Sequence, residues 1–580
     1  MDYRNRAHNY GYYQPPRFDN ARMLLKDALE KYADQTALRF RRNPSDPEAE
    51  SMTFREFEAY VRDLSTQLHC EGLEGQFAAL VGEASPEWFF TYYASMSSGL
   101  VLVPIDREMP EADIAGILNK VGCTILFFSP SVAKKCMEVL SAAPCVTTPI
   151  VMGELPEDME IPGCRTMQSL REAGAEEYAA GNRIFYDYEI DNNSLASVVF
   201  TSGTTGKGKG VMLSHKNICS DMEQGMYNFN ITKKTLFVLP PHHTFGSTIV
   251  VLGHLGQGCE IYITSGIRYV IKEMQEFKPT SMVLVPLFVE TFYKRIISAA
   301  EKQGKLKMLM RLITVSNNMR KVGIDLRKQL FRSVTKNFGG ELEMIICGGA
   351  ALQQSIIDFF DAIGITILNG YGITECAPLI SCNRNCYRKD GSVGIPIVGG
   401  ELKILDPDEN GEGEIAYRGP NVMLGYFQDE EATKEVIDED GWFRTGDYGR
   451  VEDIEGDQWL YITGRLKNLI IFSNGKNVYP EEIEFAIRGV DGVNEVVVYA
   501  GESRSNRALE LIVAEIYPDA ERLEALGVTD PQKYFETAIQ KINAEAAPYK
   551  KVGLVRLRDT EFPKNTSKKI TRFAIDKVID

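Results

Sequence analysis

The 580-residue chain has no surplus of positive charge, no C-x-x-C pair, no internal repeat and no low-complexity tract. It also lacks any uncharged apolar run of the roughly 18 residues that a membrane-crossing helix needs. Each absence closes off a class. Without the apolar run a transmembrane span is not expected, and the opening MDYRNRAHNYGYYQPP lacks the apolar centre of a secretory signal and reads as a polar arm. Together these predict a cytoplasmic protein, with peripheral membrane contact left open. Sixty-four Lys and Arg against 80 Asp and Glu give a net charge of -16, which argues against nonspecific nucleic-acid binding and requires any phosphate site to be locally basic. The 11 cysteines are scattered, and the closest pair, Cys382 and Cys386, has no second ligand pair nearby. They read as free thiols of a reducing compartment, without a zinc site or disulfide framework. The lack of repeats disfavours a solenoid.

What is present alternates. Strand-like apolar segments at Phe77 to Val81, Ile125 to Phe128, Ser197 to Phe200, Thr235 to Leu239, Met282 to Val285, Glu343 to Cys347 and Ile365 to Leu368 are separated by amphipathic helical stretches. This is the pattern of an α/β fold. From Gly391 to Phe427 the texture changes to short β-like pieces and turns, which read as a compact β region. After Arg465, strands at Val496 to Tyr499 and Leu509 to Ile516, and a helix opened by Asp530 and Pro531, predict a small α+β domain.

The most informative stretch is Thr201 to Gly210, TSGTTGKGKG, directly after an apolar run. Glycines permit close backbone approach, Thr and Ser hydroxyls add donors, and Lys207 and Lys209 supply charge, a chemistry suited to a phosphate chain. Ser214 is placed to cap a following helix carrying Ile218, Met222 and Met226 on one face, giving strand, phosphate loop, helix. A glycine-rich hairpin remains the plain alternative. A P-loop is a near miss: Gly203, Gly208 and Lys209 satisfy its spacing, but Gly210 stands where a magnesium-binding hydroxyl is needed. Downstream, GYGITE from Gly370 combines an aromatic face, a hydroxyl and a carboxylate, GWFRTGDYG sets Asp447 in a glycine-flanked loop, and PKNTSKKITR from Pro563 is a lysine cluster.

In this order, and with MTFREFEAYVRDLSTQLHCEGL from Met52, SPEWFFTYYASMSSGLVLVPID from Ser85, LPPHHTFG from Leu239 and GSVGIPIVGG from Gly391, these motifs resemble the adenylate-forming (AMP-binding) enzyme superfamily over nearly the whole chain. LPPHHTFG and GRLKNLIIFSNGKNVYPEEIE look most like its fatty-acyl-CoA synthetase branch, whereas amino-acid adenylation domains present an acidic anchor for the substrate amine. The resemblance implies a large N-terminal domain, residues 1–465, of two α/β sheets and a small β-barrel region, and a small mobile α+β C-terminal domain, residues 466–580. It implies ATP, magnesium and coenzyme A as cofactors and cosubstrates. Thr201, Ser202, Gly203, Thr204, Thr205, Gly206 and Lys209 are then expected on the ATP phosphates, Thr374 at the adenylate phosphate and Glu375 on magnesium. Tyr371 is expected beside adenine with Gly348, Gly349 and Ala350, Asp447 on the ribose with Arg465 assisting, and His243 at the carboxylate end of the acid site. Lys569 aligns with the catalytic lysine, Lys467 with the hinge, and Gly475 borders the expected pantetheine channel.

Two positions depart from the family pattern. Gly208 replaces the usual proline, predicting a more flexible loop, and Lys568 replaces the glycine before the catalytic lysine, setting a rival ammonium beside Lys569. The implied activity is ATP-dependent ligation of a medium- or long-chain fatty acid to coenzyme A through acyl-AMP. The alternatives are loading of a carrier-protein phosphopantetheine and a catalytically inactive AMP-binding scaffold.

Overall fold

A computed structural model describes residues 11–201, 208–231, 233–472, 477–502, 504, 511–564 and 570–580. By internal contacts the chain forms two compact units, the second made of Leu402–Ala416, Arg444–Asp453 and Leu460–Asp580.

The first unit is built on two mainly parallel sheets. In the eight-stranded sheet, Leu195–Thr201, Val101–Ile105, Phe77–Val81, Ile125–Phe128 and Thr148–Val151 lie side by side in parallel. Strands such as Phe77–Val81 and Ile125–Phe128 are almost wholly apolar and buried, as expected where helices cover both faces. The nine-stranded sheet runs Met344–Cys347 between Ser281–Leu284 and Thr366–Gly372, again parallel, with antiparallel Leu379–Cys382 beyond. Its core gathers Leu236, Met282, Ile345, Phe360 and Ile367. The α/β reading holds, with the helix Gln354–Ile363 joining two of these parallel strands.

Two local expectations need correction. Ser214 does cap the helix His215–Asn228, through a capping box with Asn217, but a strand, Lys209–Ser214, intervenes between it and the phosphate loop. That strand folds back antiparallel on Leu195–Thr201, pairing Thr201 with Lys209 and Phe200 with Gly210. The two strands form a β-hairpin, and a strand rather than the helix follows the phosphate-loop segment in the chain. The stretch from Gly391 to Phe427 does not form a sheet of its own either: Ile395–Pro396 joins the nine-stranded sheet and Gly425–Tyr426 the eight-stranded one, while Glu401–Leu405 and Gly413–Arg418 enter a four-stranded sheet with Phe443–Ile454 and Asp457–Arg465. Pieces this short are completed by whichever edge they meet.

In the second unit, Val493–Gly501 and Leu511–Pro518 pair antiparallel, and Val552–Leu557 adds a parallel third strand. The helices Pro480–Arg488 and Pro531–Glu545 bury Ile483, Ile487, Phe535 and Ile539 in the same core. Asp530 caps the second helix and Pro531 opens it, as predicted.

Candidate adenylate site

Within the first unit, the hairpin and the GYGITE segment are drawn together by a strand distant in sequence. Gly425–Tyr426 pairs with Lys209–Ser214, setting Tyr426 opposite Val211, and the Phe427 amide donates to the Gly210 carbonyl at 2.7 Å. The Lys209 ammonium consequently lies 4.4 Å from the centre of the Tyr426 ring, a cation–π contact. On its far end, the Tyr426 hydroxyl donates to Glu375 Oε1 at 2.9 Å. Burial, and then the Glu375 carboxylate, push the phenol well above its ordinary value, so it stays a donor. Tyr426 thus links two residues that sequence reasoning had assigned separately, and that reasoning read its own segment only as a β-like piece.

Gly208 has a structural reason. A Cβ there would stand 2.7 Å from the Thr201 carbonyl oxygen, so glycine answers a close backbone approach at the hairpin's neck. Thr201 Oγ1 also donates to the Lys209 carbonyl, at 3.4 Å. Ser202, Gly203, Thr204, Thr205 and Gly206 lie outside the described residues.

Glu375 sits in a single 3₁₀ turn, Thr374–Cys376, entered from the strand that carries Tyr371. The turn is gripped from behind. The Met423 amide donates to the Glu375 carbonyl at 2.8 Å, while the Asn421 side-chain amide reaches the Cys376 and Leu379 carbonyls, each at 2.7 Å, and Asp221 Oδ1 at 3.1 Å. Asp221 Oδ1 also accepts from the Leu379 amide at 2.7 Å, and the Tyr417 hydroxyl donates to Asn421 Oδ1 at 2.8 Å. Burial drives the Asp221 carboxyl well above its ordinary value, against these two hydrogen bonds. Asp221, Asn421 and Tyr417 escaped the sequence reading. A signal existed for Asp221, an acid one turn after Ile218 and beside Met222 on the buried side of the helix His215–Asn228.

The remaining residues of this unit gather around Gly348. It is buried, and a Cβ added to it would come within 3.3 Å of both the Gly370 carbonyl oxygen and the Phe245 ring. The strand end preceding Tyr371, the Gly348 turn and the LPPHHTFG segment therefore meet at one glycine. Gly349 follows with a φ of 87°, and it and Ala350 are exposed. His243 stands at the N-terminal position of the short turn Thr244–Gly246, without a side-chain cap bond, its ring 4.3 Å from that of His242. His242 Nε2 lies 3.8 Å from Asp106 Oδ2; burial lowers its pKa against the pull of that carboxylate, leaving a neutral imidazole. A π-helical segment, Ser247–His254, follows directly, an uncommon form that recurs at functional sites. Between it and the helix His215–Asn228 is a narrow cavity lined chiefly by Met222, Met226, Phe229, Ile249 and Gly253.

In the second unit, Asp447 is buried and Arg465 mostly exposed, with Nε 3.1 Å from Asp447 Oδ1. The Asp447 amide donates to Thr445 Oγ1, which itself donates to the Ile415 carbonyl at 2.8 Å. The glycine-flanked loop expected around Asp447 is instead part of the strand Phe443–Ile454, in which Gly446, just before the acid, has a left-handed φ of 69°. Lys467 is exposed in the turn Leu466–Asn468, and Pro480 opens the next helix. Gly475, Lys568 and Lys569 lie outside the described residues; flanking the lysines, Lys564 pairs with Ile570 and the Thr571 amide donates to the Pro563 carbonyl.

Among the described residues no three His, Cys, Asp or Glu side chains converge as a metal cage. A single carboxylate such as Glu375 nevertheless suits magnesium, which is commonly held by one or two carboxylates with substrate phosphates and water completing the shell. All 11 cysteines are free thiols, seven of them buried.

The AMP-binding enzyme family profile matches residues 25–427. Long-chain-fatty-acid–CoA ligase 6 of Mus musculus is 27% identical over 78% of this chain and 67% of its own length. A chloroplastic long-chain-fatty-acid–acyl-carrier-protein ligase of Arabidopsis thaliana is 28% identical over 86% of this chain and 77% of its own. Among solved structures, the anthranilate CoA ligase AuaEII in complex with anthranoyl-AMP superposes with a TM-score of 0.73 at 19% identity, covering 97% of this chain and 96% of that one.

Proposed function

Because the chain belongs to the AMP-binding enzyme family, we propose that it is an acid–thiol ligase that activates a medium- or long-chain fatty acid as acyl-AMP and passes the acyl group to coenzyme A. The carrying observation is Tyr426, which places a cation, Lys209, and an acid, Glu375, at the two ends of one side chain beside the hairpin loop. That pairing suits a triphosphate: the ammonium opposes phosphate charge and the carboxylate accepts its counter-ion. Magnesium, held by Glu375, would supply neutralisation of the charge that builds on the phosphates. In this reading Thr201 and the loop 202–206 hold the leaving pyrophosphate, Thr374 the adenylate phosphate, Tyr371 and Gly348 to Ala350 the adenine, and Asp447 with Arg465 the ribose.

The acid carboxylate attacks the α-phosphate, pyrophosphate departs, and a thiol then displaces AMP. His243 is assigned to the carboxylate end of the acid site. Lys569 is assigned to the developing charge at the α-phosphate. We further propose a functional border at 465/466, rotation about Lys467 between the two half-reactions, and Gly475 beside the incoming pantetheine. The free cysteines support a reducing, cytoplasm-like compartment.

Pyrophosphate exchange into ATP tests the class. Exchange stimulated by a fatty acid, with AMP as the nucleotide product, is expected; ADP would overturn the reading. The similarity to the Arabidopsis ligase motivates a second acceptor, a carrier-protein phosphopantetheine. Competition between free coenzyme A and holo-carrier for the same acyl-AMP decides between them.

A further inference from the structure

The chain is acidic overall, yet residues 286–336 carry 12 Lys and Arg against three Asp and Glu, a local net charge of +9 within a total of -16. The helix Leu306–Lys321 lies within this stretch, on the first unit, and its two faces differ sharply. Inward, Leu309 is buried, Leu312 and Ile313 pack on the core, and Arg320 is buried in an ion pair with Asp361 at 2.8 Å. Outward, Met308 is 54% exposed, Val315 51% and Val322, at the C-cap, 74%. These three recur at intervals of seven residues, so they align along one side of the helix. Lys307, Arg311 and Lys321 are exposed next to that row, and no ion pair engages them among the described residues.

A row of large apolar side chains flanked by unpaired cations is the pattern of a helix lying in a membrane interface, where the apolar side chains enter the acyl boundary and the cations meet anionic headgroups. From this charge complementarity we infer that the outer face of Leu306–Lys321 docks the protein on an anionic lipid surface. The inward ion pair with Asp361 makes the face a fixed platform and removes the need for folding on contact. The inference concerns where the protein works and is independent of the proposed ligase chemistry. An acidic protein would satisfy the cations equally, but the methionine and valines run in a straight row along one side of the helix with cations beside them, the arrangement of a helix lying flat on an anionic lipid surface.

The test uses the full chain and sedimentation with phosphatidylcholine vesicles, with and without phosphatidylglycerol. Binding only to the anionic vesicles, weakened by salt, is expected. The combined change Lys307→Glu, Arg311→Glu and Lys321→Glu should lower the affinity by about tenfold or more. Met308→Ser, Val315→Ser and Val322→Ser together should lower it while leaving the salt dependence in place. No binding of the unmodified protein to anionic vesicles would overturn the inference, as would equal binding by both variants, and the unmodified protein keeps the test decisive should a variant misfold. Displacement from vesicles by an acidic carrier protein would also overturn it, in favour of a protein partner. Pyrophosphate exchange with a soluble acid, run in parallel, separates this outcome from failure of the catalytic reading.

Discussion

Glu375 and Asp447 each stand shortly after a glycine, Gly372 and Gly446, yet the two units hold them by opposite means. Glu375 is half-buried, fixed through its backbone and its neighbours by Met423 and Asn421, and its side chain meets a neutral phenol. Among the described residues no cation pairs with it. Asp447 is buried and already offset by Arg465, whose side chain remains 57% exposed. A carboxylate without a cation is prepared to receive one, whereas a buried carboxylate with a solvent-facing guanidinium can exchange that partner for ligand hydroxyls at little cost. The first arrangement is rigid and unsatisfied in charge; the second is satisfied and replaceable. In the proposed reaction these suit different tasks, metal-assisted phosphate chemistry in one case and adaptable sugar binding in the other.

The comparison breaks first at Glu375. Glu375→Gln keeps the Tyr426 hydrogen bond and removes only the charge, so pyrophosphate exchange should fall by about 10²–10³-fold, the size typical of losing one charge-stabilising group, with no drop in thermal stability. A loss of similar size in Asp447→Asn would erase the distinction. Next in size is Asn421→Ala, which deprives Asp221 and the Cys376 and Leu379 carbonyls of one buried donor. Denaturant titration should show a loss of about 1–3 kcal/mol, and exchange should fall with it as the Glu375 turn loosens. Asp221→Asn sharpens the same point through pH. Since burial raises the folded-state pKa above the unfolded value of about 3.9, the stability linked to this group is full below that value and erodes as pH rises toward the folded one. The substitution should flatten that decline in a stability–pH profile.

How much of this was legible depended on how local the signal was. The strands at Phe77–Val81 and Ile125–Phe128 were visible because an unbroken apolar run and its bounding turns lie within the segment itself. Asp530 and Pro531, or Ser214, could be read because a cap acts on amides three residues away. The strand Lys209–Ser214 was missed for the complementary reason: its glycine and its non-alternating burial give no local strand signal, and it is held between Leu195–Thr201 and the sequence-distant Gly425–Tyr426. Tyr426 shares that history, since nothing near it in sequence announces either Lys209 or Glu375. Gly208 looked like a lost proline, but its requirement is set by the carbonyl of Thr201 across the hairpin, a contact that pairing creates.

Two smaller substitutions separate fixed from replaceable contacts most finely. Tyr426→Phe keeps the ring under Lys209 and removes one hydroxyl from Glu375, an ordinary hydrogen bond worth about 1 kcal/mol, so a rate loss of roughly fivefold in adenylate formation is expected. It should appear in kcat, because the missing contact aligns the acid without contributing much to holding ATP. Arg465→Lys preserves the charge beside Asp447 while removing the planar guanidinium. An exposed pair of this kind is worth about 1 kcal/mol or less, so KM for ATP should rise by no more than about fivefold and kcat should hold. If Arg465→Lys instead lowered kcat more than Tyr426→Phe did, the guanidinium would be aligning reacting groups, and the two acids would have to be regarded as equally fixed.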